Sequence, residues 1–273
     1  YQCDWSSDVC SSDLNADGGG EWLELVQGKS GLTADKGFAT QADVLIRTRQ
    51  AADVVGATKM DRPEWTAVNP LDRTVYCTLT NNSARGAAGQ PGVDAANPRV
   101  NNTFGHIIRW REAGDDHAAT AFRWDIFVLA GDPLLGDAGK HGNIKGDVFG
   151  SPDGLWFDPA GRLWIQTDVS TSTLYRGDYA GIGNNQMLCA DITTGRIARF
   201  LTGPKGCEIT GITQTPDGTT MFVNIQHPGE TSSERSDPAK PLAVSSWPDG
   251  PAGGRPRSAT IVIRRDDGGV IGT

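Results

Sequence analysis

The feature that most constrains this fold is a hairpin grammar that the chain uses three times. Each instance sets an acid, an apolar strand, a turn containing proline, and a second β-rich strand. Glu64–Pro70 (EWTAVNP) runs into TVYCTLTNN, Asp153–Pro159 (DGLWFDP) into GRLWIQTD, and Glu208–Pro216 (EITGITQTP) into DGTTMFVNIQ. The acid precedes the turn proline by six, six and eight positions. Side chains alternate along a strand, so three even offsets predict one facing for all three acids. Successive blades of a propeller would carry such acids at the starts of their inner strands, pointing toward a common axis. The acids lie 89 and then 55 residues apart, so large insertions separate the repeats and no strict array is present.

Other short β-branched and aromatic runs, bounded by glycine and proline, fit the same plan: His106–Trp110, Ile126–Leu129 and Ala259–Ile263. The fold class they predict is all-β, a sandwich, barrel or propeller, and the three acids in register favour a propeller with long inter-blade loops. One segment, Asp35–Asp53, has the length and composition of a short helix flanking the sheets. Two long loops, Asn82–Thr103 and Pro228–Arg257, are candidates for functional coverings, and a third, Asp132–Ser151, leads into Asp153.

The net charge of −8 argues against a nucleic-acid partner, which would need a basic stripe. No apolar run is long enough to span a membrane. The five cysteines, Cys3, Cys10, Cys77, Cys189 and Cys207, form no CxxC pair and no zinc-ligand spacing. Cys77, Cys189 and Cys207 read as buried and unreactive. The opening YQCDWSSDVCSSDL (1–14) differs in style from the remainder of the chain and reads as an artefact, which leaves 15–273 as one domain. No basic start and apolar run marks an export signal, and this carries no information on compartment.

Familiar catalytic signatures are mostly absent: there is no GxSxG elbow, Walker A loop, HExxH or complete EF-hand pattern, and a Ser-His-Asp triad, which would assemble in space, is nominated by nothing in the chain. His106 lies in a strand-like run and reads as structural, and His117 reads as an exposed turn residue. Acids converging on an axis suit hard cations, because calcium takes six to eight oxygen ligands and ferric iron also accepts carboxylate oxygen. Bound cations polarise a phosphoryl oxygen and offset leaving-group charge without a Ser or Cys nucleophile.

The strings ATKMDRPEW, TLTNN, SPDGLWFDPAGRLWIQTD, NNQMLCAD, GCEITGITQTPDGTTMFVNIQHPGE, SSWPDG and RPRSATIVIRRDDGG resemble the C-terminal half of PhoX-family alkaline phosphatases. The resemblance spans 15–273. It implies a periplasmic or secreted propeller exported by the twin-arginine route, monomeric at full length, of which this chain would be an incomplete β-propeller made of the C-terminal blades. It also implies hydrolysis of small phosphate monoesters at a calcium and ferric-iron centre. Carried onto this chain, Glu64, Asp153 and Glu208 are the metal-binding, catalytic acids. Asn81 and Asn82 are candidate amide ligands, and a turn-forming pair accounts for them equally. Arg62, Lys140, His141, Lys145 and His227 are candidates near the substrate phosphate, with surface charge or packing as the alternative for each. The family's NNCAGG…CEE motif, which brings a cysteine and a glutamate to the iron, is absent, so the chain alone is expected to be inactive. Two other readings stay open: a calcium-dependent propeller hydrolase of lactones or phosphotriesters, and a non-enzymatic secreted propeller.

Overall fold

The computed structural model describes residues 10–230 and 239–273. Three sheets follow one another along the chain. The first holds β1 (Cys10–Leu14), β2 (Gly19–Glu24), β3 (Pro63–Val68), β4 (Val75–Leu79), β5 (His106–Glu112) and β6 (Ala121–Leu129), in the order β1-β2-β6-β5-β4-β3. The second holds β7 (Lys145–Gly146), β8 (Pro152–Phe157), β9 (Leu163–Thr167), β10 (Gln186–Ala190) and β11 (Arg196–Thr202), in the order β7-β11-β10-β9-β8. The third holds β12 (Glu208–Gln214), β13 (Thr220–Gln226) and β14 (Ala259–Arg264). The first strand of each repeated hairpin is an edge strand of its sheet, and β8 packs between β3 and β12. This is the inner-strand arrangement of propeller blades.

Sequence periodicity explains why the sheets stack. In β9, Leu163 and Ile165 face the first sheet while Trp164 faces the third. In β10, Leu188 and Ala190 face one way and Met187 the other. A middle blade is buried on both faces, so its strands read as continuous apolar runs. In β13, Met221, Val223 and Ile225 enter the core between the second and third sheets, whereas Asn224 and Gln226 are exposed. On the far side of the first sheet, Leu14 and Trp22 from the β1–β2 ribbon pack with Trp110 and Phe122.

The expected single helix is two: α1 (Gln41–Ile46) and α2 (Thr48–Val55). Thr40 and Asp43 form a capping box that starts α1, and Gly56 in the left-handed region ends α2. Between them Arg47, at φ −113° and ψ 39°, leaves helical geometry, and its guanidinium bonds back to the Gly37 carbonyl. Cys10–Leu14, part of the segment set apart in the sequence, pairs with β2 along its length. Residues 1–9, with Cys3, and 231–238 of the Pro228–Arg257 loop lie outside the described residues.

The 82–103 loop is pinned by a buried charge pair next to the strand start of β3. Asp61 Oδ1 accepts from Arg85 Nε at 2.8 Å and Asn82 Nδ2 at 2.9 Å, and Oδ2 accepts from Asn102 Nδ2 at 2.9 Å. Both charged residues are at most 1% exposed. Asn102 also meets His106 Nδ1 at 3.1 Å, and His106 Nε2 lies 2.7 Å from the Ala96 carbonyl. Burial pushes the His106 pKa down to about 4, so this ring is the structural histidine its strand position implies. Asp61→Ala strands the Arg85 charge in the interior and is expected to destabilise the protein by about 3–5 kcal/mol. Urea unfolding measures this, and an unchanged midpoint would remove Asp61 as the anchor of the loop.

Candidate functional site

The inner strands β3, β8 and β12 begin at one end of the stacked sheets, and their partners β4, β9 and β13 finish there. The registers pair Pro63 with Leu79, Pro152 with Thr167, and Glu208 with Gln226. Each inner strand carries one β-bulge: between Pro63 and Thr66, between Pro152 and Leu155, and between Thr210 and Ile212. A bulge adds one unpaired residue and breaks the period of two. Counting by twos from acid to turn is therefore corrected, although all three strands share the correction. Gly211, at φ 63°, is the extra residue in β12, a conformation that L side chains rarely adopt.

The bulges define two tiers. Glu64 and Asp153 both lie six positions before the turn proline, where β12 has Thr210. Glu208 lies two residues further out, roughly 7 Å along a strand. Its counterparts at that level are Arg62 and Ser151, and Asp168 stands opposite Ser151, its backbone N–H donating to the Ser151 carbonyl at 3.0 Å. Arg62 and Ser151 both have φ 52° and both precede prolines. Non-glycine residues held there carry strain of about 1–3 kcal/mol each, a pattern concentrated at functional sites.

Asp153 is the most constrained acid. It is 8% exposed, and its carboxylate accepts no hydrogen bond from the described residues. Its backbone carbonyl accepts from Thr78 Oγ1 at 2.7 Å, which ties β8 to β4. Burial first, then Glu64, Asp168 and Glu208, push its pKa up to about 7, with Arg62 opposing. Burial likewise raises Asp168, against the pull of Arg62 and His227. Burial and then Asp168 raise Glu208. Glu208 Oε2 accepts from Gln226 Nε2 at 2.7 Å and lies 3.4 Å from His227 Nε2, while His227 Nδ1 is 3.2 Å from Glu230 Oε2. Arg62 reaches Glu64 Oε1 at 3.3 Å and Asn81 Oδ1 at 3.2 Å.

The structure therefore gathers Glu64, Asp153, Glu208, Arg62, Asn81 and His227 into one electrostatic neighbourhood and adds Asp168 and Glu230. Asp168 had a readable signal: it ends LWIQTD, at the position that Asn81 and His227 approach in the other hairpins. Lys140 is held elsewhere, 2.7 Å from Asp178 Oδ2, and His141 Nε2 lies 2.5 Å from the Leu135 carbonyl. Lys145 is exposed on β7 and pairs with Arg196 beside the β10–β11 turn, at the end of the sheet away from the acids. His117 is half-exposed and bridges, with Nδ1 3.1 Å from Glu112 Oε2 and Nε2 accepting from Arg73 Nε at 3.3 Å. Asn82 serves Asp61 rather than the site. Cys207 is buried in the core with its thiol pushed up to about 12 by burial, and burial raises Cys77 as well. Cys189 is half-buried, its thiol raised to about 11.

In kind, these oxygen donors fit a hard cation, since a nearly buried carboxylate among other acids, with no hydrogen-bond donor, has only Arg62 as a partial counter-charge. In number they fall short. Among the described residues no three His, Cys, Asp or Glu converge closely enough to share one ion.

The sequence profile of the alkaline phosphatase PhoX matches residues 7–229. The chain belongs to the PhoX alkaline phosphatase family. Pseudomonas fluorescens PhoX, solved in complex with vanadate, a transition state analogue, is similar at 51% identity and a TM-score of 0.84. That match covers 96% of this chain and 45% of the other, so the chain spans less than half the length of this PhoX relative. A Xanthomonas campestris gluconolactonase aligns at 15% identity and a TM-score of 0.28, over 64% of this chain and 57% of that one, too weakly to bear on fold or chemistry. No curated protein matches the chain.

The raised pKa of Asp153 has a signed consequence for this PhoX-family chain. The unfolded chain releases the proton near the ordinary value of 3.8, and the folded one holds it to about 7. Folded protein binds the extra proton between these values, so stability falls as pH rises through that window and stays lower above it. Asp153→Asn removes that loss. Without metal, the variant is expected to be more stable than wild type above pH 7, by ~3 kcal/mol, with the gap closing toward pH 4. Urea unfolding in chelator across this range checks it, and a pH-independent difference would contradict the assigned environment.

Proposed function

We propose that this chain supplies part of the active centre of a metal-dependent phosphatase that hydrolyses small phosphate monoesters outside the cytoplasm. The observation that carries the reading is Asp153: a nearly buried carboxylate, without a donor among the described residues, surrounded by Glu64, Asp168 and Glu208. Such a group requires a proton or a cation, and the family together with the vanadate complex of the PhoX relative favours cations that serve phosphoryl chemistry. Glu64, Asp153 and Glu208 are the residues that would hold calcium and ferric iron. Those ions, when bound, supply charge neutralisation and polarisation of the phosphoryl group.

The chain's own residues do the rest. Arg62 is half-exposed above the acids and presents guanidinium N–H groups suited to phosphate oxygens. Asn81 is half-buried and uses its amide oxygen on Arg62, so it orients that guanidinium rather than a cation. His227, between Glu208 and Glu230, stands where it can exchange a proton with a departing alcohol. Because the described acids do not complete a shared site, the isolated chain is proposed to be inactive or nearly so.

Two measurements test this. Calcium is expected to raise the melting temperature of the full-length protein at pH 8 and to do so much less in Asp153→Asn; equal responses would show that Asp153 is not a ligand. In the full-length protein, Asp153→Asn and Glu64→Gln are each expected to lower kcat for p-nitrophenyl phosphate about 100-fold or more. Activity that survives both substitutions, or robust turnover by the isolated chain, would overturn the assignment.

A further inference from the structure

Arg62 is held by more than its own neighbours. Its Nη1 donates to Asn81 Oδ1 at 3.2 Å, and Asn81 Nδ2 donates to Ser151 Oγ at 3.2 Å. Ser151 Oγ lies 2.8 Å from Tyr179 OH, which in turn donates to the Thr103 carbonyl at 3.1 Å. The polarity of this chain of hydrogen bonds is fixed by proton count. Tyr179 has one hydroxyl proton and uses it on a carbonyl that can only accept. Ser151 must therefore donate to Tyr179, and its oxygen is then the acceptor for the Asn81 amide N–H. That leaves only one orientation for Asn81, with its oxygen toward Arg62. A buried tyrosine on a distant loop thus sets the direction in which an amide at the rim faces.

Three further observations show that the arrangement is built. Tyr179 is 1% exposed, and its ring packs on Phe104 with centroids 4.9 Å apart. A Cβ at Gly150 would stand 2.4 Å from the Tyr179 hydroxyl oxygen, so glycine there leaves the space the hydroxyl occupies. Arg62 and Ser151, the two residues that the relay joins through Asn81, share the left-handed φ of 52° at equivalent places in neighbouring blades.

The geometry points to Tyr179 and Ser151 as positioning residues that, through Asn81, hold the Arg62 guanidinium in the orientation that receives a phosphate oxyanion. This rests on the phosphatase reading above. Neither residue touches substrate. Losing the relay frees Asn81 to flip its amide and present N–H to a guanidinium, which repels it. Arg62 would then sample many orientations, and phosphate would bind an unprepared cation.

The test follows Arg62 directly. Side-chain 15N NMR of arginine-labelled chain reports hindered guanidinium rotation for an ordered Arg62, with Arg62→Lys identifying the signal. Inorganic phosphate binding by the full-length protein in calcium buffer is measured alongside by calorimetry. Tyr179→Phe keeps the ring and removes the hydroxyl. Ser151→Gly removes the other hydroxyl at a backbone conformation that glycine adopts freely, so a folding defect from backbone strain is avoided. Both variants are expected to speed Arg62 rotation and to weaken phosphate binding about tenfold. In full-length protein the expected signature is a raised KM with kcat less affected, which a general loss of stability does not produce. Unchanged Arg62 rotation in both variants overturns the inference whatever phosphate does. Faster rotation in both, with phosphate bound as tightly as by wild type, also overturns it. Full-length protein with an ordered Arg62 and no phosphate binding defeats the phosphatase reading itself, and the inference with it.

Discussion

Electrostatic repulsion among carboxylates at the starts of the inner strands is the constraint on which this molecule turns. Asp153 is taken from water without a described donor to replace the lost solvation, and Glu64, Asp168 and Glu208 add like charge around it. In isolation such an arrangement works against folding, because a buried unpaired charge is among the most expensive features a protein can carry. Arg62 offsets only part of it. The remainder has to be met by a proton, at the expense of stability at neutral pH, or by cations.

The rest of the fold is organised to hold these acids despite their repulsion. Stacked sheets share two continuous cores, one between the first and second and one between the second and third. Side chains cross from one blade to the next at the level of the bulges. Thr78 donates to the Asp153 carbonyl, and Gln166 Nε2 donates to the Gly211 carbonyl at 3.2 Å. Next to Arg62, the Asp61–Arg85 pair fixes both the strand start and the loop behind it. Rigidity of this kind is what allows like charges to remain close when no ion is present.

Much of this was legible in the sequence, for definite reasons. Strands such as LWIQT and MFVNI announce themselves by β-branched and aromatic content. Their turns carry proline and glycine, and the acids stand at a repeated offset from those turns. The difference between offsets of six and eight was visible too, but its meaning was not. Even parity implied equal facing, whereas the structure shows that it also encodes a step along the axis. Bulges left no mark beyond Gly211, because an extra residue in β3 or β8 is an ordinary tryptophan or glycine in an apolar run. Charge type alone misplaced Lys140 and Lys145, since pairing with Asp178 and the β7–β11 register are set by tertiary contacts. The break at Arg47 was equally hidden, the helix-like composition of 35–53 running straight through it.

The two tiers give the proposed chemistry a direction. The inner tier carries Glu64, Asp153 and Thr210, oxygen donors with no positive group among them. The outer tier mixes signs: Arg62, Ser151, Asp168 and Glu208, with His227 beyond. Arg62 and Glu64 are both exposed and paired with each other, so an anion approaching from solvent would meet the two together, and the acids would repel it unless cations had been bound first. On the proposed reading cations would bind before phosphate, because they relieve the repulsion that Arg62 offsets only in part. A site built this way spaces its charges along an axis, as the transfer of a phosphoryl group between in-line oxygens requires.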